Sequence, residues 1–235
     1  MTPSFELLNN EQHRNLRIKT ELVDTAHNRV NTALVTVGEL STLVHEYAIF
    51  ISKSPSTEQF QLAAILGFNT AENLYLQDNK WQATYLPLDI LRRPFQAYIP
   101  DANKVREGRI GLDVASEQVN KKTGEALFDK QGEATEYLKK VQKIFAELMA
   151  GTEQTRSILE QANQLKLIEP VTLNIDIPGQ KSVVLNGLYG FNKEALTKLS
   201  GKELEKAHQS GVLQVSHLIL SSTLHLQKLI NWSQK

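Results

Sequence analysis

The 235-residue sequence has no cysteine. Disulfide bridges, thiolate nucleophiles and zinc–thiolate sites are thereby excluded. It has no net charge either: 26 Lys and Arg balance 26 Asp and Glu. The basic excess or stripe that marks a nucleic-acid binder is missing. Apolar runs are short. The longest candidate, 212–220, is interrupted by Gln214, Ser216 and His217 and falls below the roughly 18 apolar residues of a membrane span. The opening MTPSFELLNNEQHR shows no basic segment followed by an apolar one, so no secretory signal is expected and a cytoplasmic location is. Familiar catalytic signatures are absent too. There is no GxSxG elbow, no GxGxxG and no HExxH, and Gly201-Lys202 lacks the glycine-rich lead of a phosphate-binding loop. No cofactor, metal or catalytic residue is expected from motifs.

What is present describes an ordinary folded chain. Apolar residues make up 41% and charged residues 22%, a composition that supports a sizeable core rather than disorder. Short apolar, β-branched runs at 33–37, 48–51, 59–68 and 73–76 read as strands. Ser54-Pro55-Ser56-Thr57 is the turn of a hairpin between the second and third of these. Phe5-Glu6-Leu7-Leu8 reads as a short strand and 40–47 as a turn or two of helix. Asp78-Asn79-Lys80 is a turn into a strand starting at Trp81. Pro87 opens a short helix that stops before Pro94, and 95–99 and 109–114 are two more strands. The charged, glycine-bearing stretch 116–133 reads as a long loop.

The strongest periodicity follows. Tyr137, Val141, Ile144, Phe145 and Leu148 keep a three-and-four spacing that continues through Thr152, Thr155, Ile158, Leu159, Ala162 and Leu165. Gly151 costs about 1 kcal/mol relative to alanine in a helix, yet the register does not slip across it. The spacing predicts one helix over 135–166, with Thr135 as its N-cap. Val171, Leu173, Ile175 and Ile177 alternate before the turn Pro178-Gly179, and 182–191 returns, giving a β-hairpin. Asn192 and Ser200 begin two short helices, the second with Glu203 placed for a capping box. The last helix, 212–232, is apolar on most of its circumference, so burial within the domain or a homo-oligomer contact is expected of it. These elements define an α+β fold: a largely antiparallel sheet, a long helix, a β-hairpin and a buried C-terminal helix. One domain over 1–235 is expected, with a strand-rich half, 1–115, and a helix-rich half, 134–235.

Order and spacing then carry a resemblance. Leu8-Asn9 with His13, Glu46-Tyr47-Ala48-Ile49-Phe50, Ala64-Ile65-Leu66-Gly67, Glu72-Asn73-Leu74, Trp81 through Tyr85-Leu86-Pro87 and Leu91-Arg92-Arg93-Pro94-Phe95 occupy the first half. Gly124-Glu125-Ala126-Leu127-Phe128-Asp129, Gly132, Thr135, Tyr137-Leu138, Asn186-Gly187-Leu188-Tyr189 and His208 with Gly211 occupy the second. Over nearly its full length the chain resembles SapC family proteins. The resemblance implies a bacterial accessory role in surface-layer, envelope or nutrient-uptake machinery. Relatives occur beside flavin-dependent tryptophan halogenase-like proteins, cupin-like proteins and TonB-dependent receptors. It implies no reaction and no catalytic residues. The leading expectation is a non-catalytic binding or accessory protein, and the alternative is an enzyme or enzyme partner in a halogenase- or oxygenase-associated pathway.

Trp81, Tyr85, Arg92, Arg93 and Phe95 form the densest aromatic and cationic cluster. Guanidinium groups fork onto carboxylates and phosphates and stack on rings. The expected ligand is a carbohydrate or an anionic metabolite, or else a protein partner. The competing reading makes the aromatics core and the arginines structural ion pairs. His217 and His225 share no third ligand or base orienter in the sequence, so neither a metal nor a catalytic role follows for them. Asp113, Asp129 and Glu133 show no readable carboxylate pairing.

Overall fold

The computed structural model describes residues 4–98, 108–179 and 181–234. The chain is α+β, and its contacts divide into two compact units assembled from non-consecutive segments. The first comprises Met1–Arg29, Leu76–Trp81 and Leu88–Leu148. The second comprises Val30–Tyr75, Gln82–Pro87 and Met149–Lys235.

In the first unit, Arg109–Asp113 is the middle strand of a three-stranded antiparallel sheet, flanked by Phe5–Leu7 and Phe95–Tyr98. Ile99, the expected end of that last strand, lies outside the described residues. The expected loop 116–133 is instead strapped down. Its Val119–Asn120 and Glu125–Ala126 pair on either side of Arg17–Ile18. Gly124 makes this possible, since at φ +96° a Cβ would lie 2.2 Å from the Ile18 carbonyl oxygen. Ile18, Phe95, Leu112, Leu127, Leu138, Val141 and Phe145 close the core of this unit.

The hairpin Leu76–Gln77/Lys80–Trp81 turns on Asp78 and Asn79, both at positive φ (51° and 56°). That conformation suits the right-handed twist of a two-residue hairpin, and Asn and Asp tolerate it. The Asn79 side chain then accepts from the N–H groups of Val23 (3.1 Å) and Asp24 (2.8 Å). It thereby pins the segment that leads into the Ala26–Asn28 turn.

The long helix runs over Glu136–Gln164 without a break, and the Thr135 hydroxyl accepts the N–H of Leu138 at 3.3 Å. Its stripe through Leu138, Val141 and Phe145 faces the first core. Its later residues belong to the second unit. There Gly151 has a packing reason: a Cβ would come within 2.7 Å of the Thr36 side chain. Four residues on, the Thr155 hydroxyl donates to the Gly151 carbonyl (2.6 Å) and accepts from Val37 N–H (2.9 Å).

The second unit is built on a five-stranded antiparallel sheet. Its order is Ile168–Ile175, Val183–Phe191, Ile49–Lys53, Phe60–Ile65 and Thr32–Val35. The hairpin expected across Ser54–Thr57 is present, with Lys53 opposite Phe60. Ile49, Phe50, Ile51 and the run Leu62 to Ile65 are buried. That is why these strands read as continuous apolar runs rather than alternating ones. Asn192 caps Lys193–Lys198 by accepting from Ala195 N–H. The expected capping box at Ser200 does not form. Ser200 contributes its carbonyl, which accepts from Glu203 and Leu204 N–H, and its hydroxyl makes no cap bond.

The C-terminal region also departs from the expected single helix. A 3-10 turn, Thr223–His225, separates Val212–Ser222 from Leu226–Trp232. One stripe is buried, through Val212, Val215, Ser216, Ile219, Ser222 and Leu229, whereas Leu224 is 80% exposed. Sequence hydrophobicity overstated the burial because leucine on an outer face carries the same pattern as leucine in a core. Among the described residues, no helix is long and apolar enough to cross a membrane.

Candidate functional site

The five residues singled out by sequence are divided between the two units. Arg92 and Arg93 share a single carboxylate, that of Asp89 on the preceding helical turn. Arg92 Nε and Nη2 donate to Asp89 Oδ1 at 2.9 and 2.6 Å, and Arg93 Nη2 donates to Oδ2 at 3.0 Å. Asp-x-x-Arg-Arg places the partners at i+3 and i+4, the spacing at which helical side chains meet. The remaining donors are also used. Arg92 Nη1 donates to the Phe95 carbonyl (2.9 Å), Arg93 Nε to the Asp89 carbonyl (3.1 Å), and Arg93 Nη1 to the His27 carbonyl. Burial lowers the Arg93 pKa, and Asp89 offsets part of that effect. Phe95 is core. Trp81 is part-buried in the small hairpin of the same unit, and Tyr85 is in the other unit, 50% exposed.

The bond from Arg93 to His27 reveals a pair that the sequence did not announce. His27 Nε2 lies 2.7 Å from Asp113 Oδ2, and the Asp113 side chain is only 3% exposed. Asp113 Oδ1 accepts from the N–H groups of Ser4 (2.8 Å) and Ala115 (3.1 Å). A buried carboxylate thus fixes one imidazole nitrogen, Nε2. Arg93, Asp89 and the Asn79 turn hold the backbone that carries it.

The second unit gathers the densest set of shifted groups around Glu46. Its carboxylate accepts the backbone N–H of Thr84 (2.9 Å) and Tyr85 (3.0 Å). Burial pushes this carboxyl up, but those two bonds, the Thr84 hydroxyl and the Lys228 charge together outweigh it and the net direction is down. The Glu46 carbonyl accepts the Tyr75 hydroxyl (2.6 Å) and the Lys228 ammonium. Lys228 Nζ lies 4.8 Å from the Tyr75 ring centroid and 5.0 Å from that of Trp232, a cation held on aromatic faces. Tyr75 stacks on Tyr47 at 4.5 Å and meets Trp232 edge-on at 5.1 Å. The Tyr47 hydroxyl in turn donates to the Tyr85 carbonyl (2.6 Å). Burial lowers the Lys228 pKa and raises that of Tyr75.

Three C-terminal side chains spaced three apart make this arrangement. Ser222 Oγ accepts Ile49 N–H (3.0 Å), His225 Nε2 donates to the Val44 carbonyl (3.0 Å), and Lys228 takes the Glu46 carbonyl. His225 and Lys228 thereby satisfy carbonyls just past the C-terminal end of the short Leu40–Leu43 helix, and Ser222 satisfies the first N–H of the Ile49–Lys53 strand. The Ser222-x-x-His225-x-x-Lys228 spacing was the available sequence signal. Its targets lie about 180 residues away in sequence, as the separations of 181 and 182 show, and so could not be read.

His225 titrates below the usual histidine range, first through burial and then through the Lys228 charge. A depressed folded pKa means that its contribution to stability is complete above about pH 6.5. That contribution is lost as pH falls through the folded value. We therefore expect the stability of His225→Gln, which keeps a neutral donor, to change less between pH 7 and pH 5 than that of the wild type. Urea melts at both pH values check this, and equal pH slopes would refute it.

Among the described residues, no group of three His, Asp or Glu side chains is placed to hold a metal. The SapC family profile matches residues 8–229. The chain belongs to the SapC family. Glu46, Tyr75, Tyr85, His225 and Lys228 all fall inside the SapC match, as do His27, Asp89 and Asp113, and Trp232 lies three residues beyond it. No curated protein matches the chain, and no solved structure does.

Proposed function

We propose that this SapC-family chain is a non-catalytic binding or accessory protein of bacterial envelope, surface-layer or nutrient-uptake machinery. Its ligand surface is built on Glu46. One observation carries the reading. The Lys228 ammonium is held on the Tyr75 and Trp232 rings, and the same Glu46 residue fixes the half-exposed Tyr85 through its backbone. The half-exposed Tyr85 and the part-buried Trp232 ring beside a fixed cation suit a sugar ring or an anionic metabolite.

The chain has two tryptophans, so Trp81→Phe leaves Trp232 as the sole indole reporter. Titrating that variant with N-acetylglucosamine oligomers and with citrate should give a saturable change in emission. Tyr85→Ala should weaken it about tenfold, as removal of one stacking partner does. Flat titrations, together with no stoichiometric protein co-eluting from the native host, would overturn the proposal.

The alternative, an enzyme or enzyme partner in a flavin-dependent halogenase- or oxygenase-associated pathway, is favoured by one observation. The His27 imidazole is paired with a buried carboxylate, as a base is with its orienting group.

A further inference from the structure

The Phe5–Leu7 strand is a sheet edge with an unusual composition. Natural edges are blunted by lysine, proline, bulges or a covering element. This one carries Phe5, 46% exposed, and Leu7, 40% exposed. The ladder fixes which backbone groups are free. Leu8 N–H donates to the Ile110 carbonyl (2.9 Å) and Val114 N–H to the Ser4 carbonyl (3.1 Å), in register with Glu6 opposite Leu112. In an antiparallel pair, bonding and non-bonding residues alternate. Ser4, Glu6 and Leu8 therefore bond inward, and Phe5 and Leu7 direct their N–H and C=O outward. Among the described residues nothing bonds to those four groups. An open depression of about 640 Å3 borders the strand, lined by Glu6, Leu7, Leu8, Asn9, Gln12 and Arg109.

We propose that this edge binds an extended peptide of another protein as an added β-strand, with a basic residue opposite Glu6 and apolar residues on either side. The outward rungs at Phe5 and Leu7 require a strand as their partner. Their side chains share one face, which the flanking apolar residues cover. Glu6 points to the other face, about half exposed, with His13 Nε2 at 3.1 Å. Pairing two copies with Phe5 opposite Leu7 would set Glu6 against Glu6, and like charges directly opposite are destabilising. The same carboxylate favours a cation on a different chain. This inference is independent of the Glu46 surface, which lies in the other unit.

The test uses the full chain and two fluorescein-labelled probes, the acetylated peptides Thr-Val-Arg-Val-Thr and Thr-Val-Glu-Val-Thr, followed by fluorescence anisotropy. The arginine peptide should bind saturably and about fivefold tighter than the glutamate one, the ratio a single cross-strand charge pair supports. Leu7→Pro removes one outward donor but no ladder bond, because proline is tolerated on an edge whose N–H faces solvent. It should weaken binding about fivefold, in keeping with one lost backbone hydrogen bond, while the melting temperature stays unchanged. Glu6→Lys should reverse the peptide preference. Equal binding of both peptides, no binding, or Leu7→Pro binding like the wild type would overturn the proposal. So would concentration-dependent dimerisation in light scattering that Leu7→Pro abolishes, because the edge would then belong to a second copy.

Discussion

Asp89→Ala is expected to lower the stability of the first unit by about 3–5 kcal/mol, because it leaves a buried cation without its partner. Asp89 is buried and bonds both Arg92 and Arg93, and the Arg93 side chain is only 12% exposed. An exposed pair would contribute far less. The loss should reach the His27–Asp113 pair, since Arg93 also holds the His27 carbonyl. Urea denaturation measures the effect. Combining Asp89→Ala with Arg93→Met should recover part of the stability, because an apolar side chain of similar length removes the stranded charge. A cost under about 1 kcal/mol would place these residues in the class of exposed, weakly coupled ion pairs and contradict the burial described here.

Tyr75→Ala is the corresponding test of the second unit, with an expected cost of about 3–5 kcal/mol for removing a large buried aromatic. Tyr75 is fully buried, stacks on Tyr47, meets Trp232 and bonds the Glu46 carbonyl. Tyr75→Phe removes only the hydroxyl and should cost about 1–2 kcal/mol, since it leaves one acceptor of a buried bond short. The pair separates packing from hydrogen bonding. In the Trp81→Phe background, Tyr75→Ala should also shift Trp232 emission towards that of a hydrated indole. An unshifted spectrum would mean that Trp232 does not rest on Tyr75.

Local signals were legible where one face of one element made the decision. The three-and-four stripe through Tyr137, Val141 and Phe145 gave the long helix, and the apolar runs on either side of Ser54–Thr57 gave the hairpin. The stretch 116–133 was harder to read, because its two-residue strands pair with Arg17–Ile18, about a hundred residues earlier. Two residues carry no period. Gly151 was visible only as a tolerated cost. Its reason is the Thr36 side chain, which packs where a Cβ would stand.

The candidate sites divide in the same way. Asp89, Arg92 and Arg93 meet through helical spacing alone, which the sequence prints. Arginine clusters bind ligands or structural carboxylates with the same fork, and only the fold showed the donors committed to Asp89, Phe95 and His27. His27 with Asp113, and Glu46 with Lys228, join residues far apart in the chain.

By itself the sequence determined the absence of thiol chemistry, the lack of a basic footprint, the α+β class, the long helix and the order of motifs shared with the SapC family. All but the last follow from composition and periodicity, and the last from a resemblance between short motifs; all are local properties of a chain. The tertiary structure alone decided which carboxylate meets which cation, which leucines of the C-terminal helix stay in solvent, and which strand keeps an open edge. Those outcomes depend on contacts between distant segments, where burial and hydrogen-bond geometry, rather than residue type, set the energy.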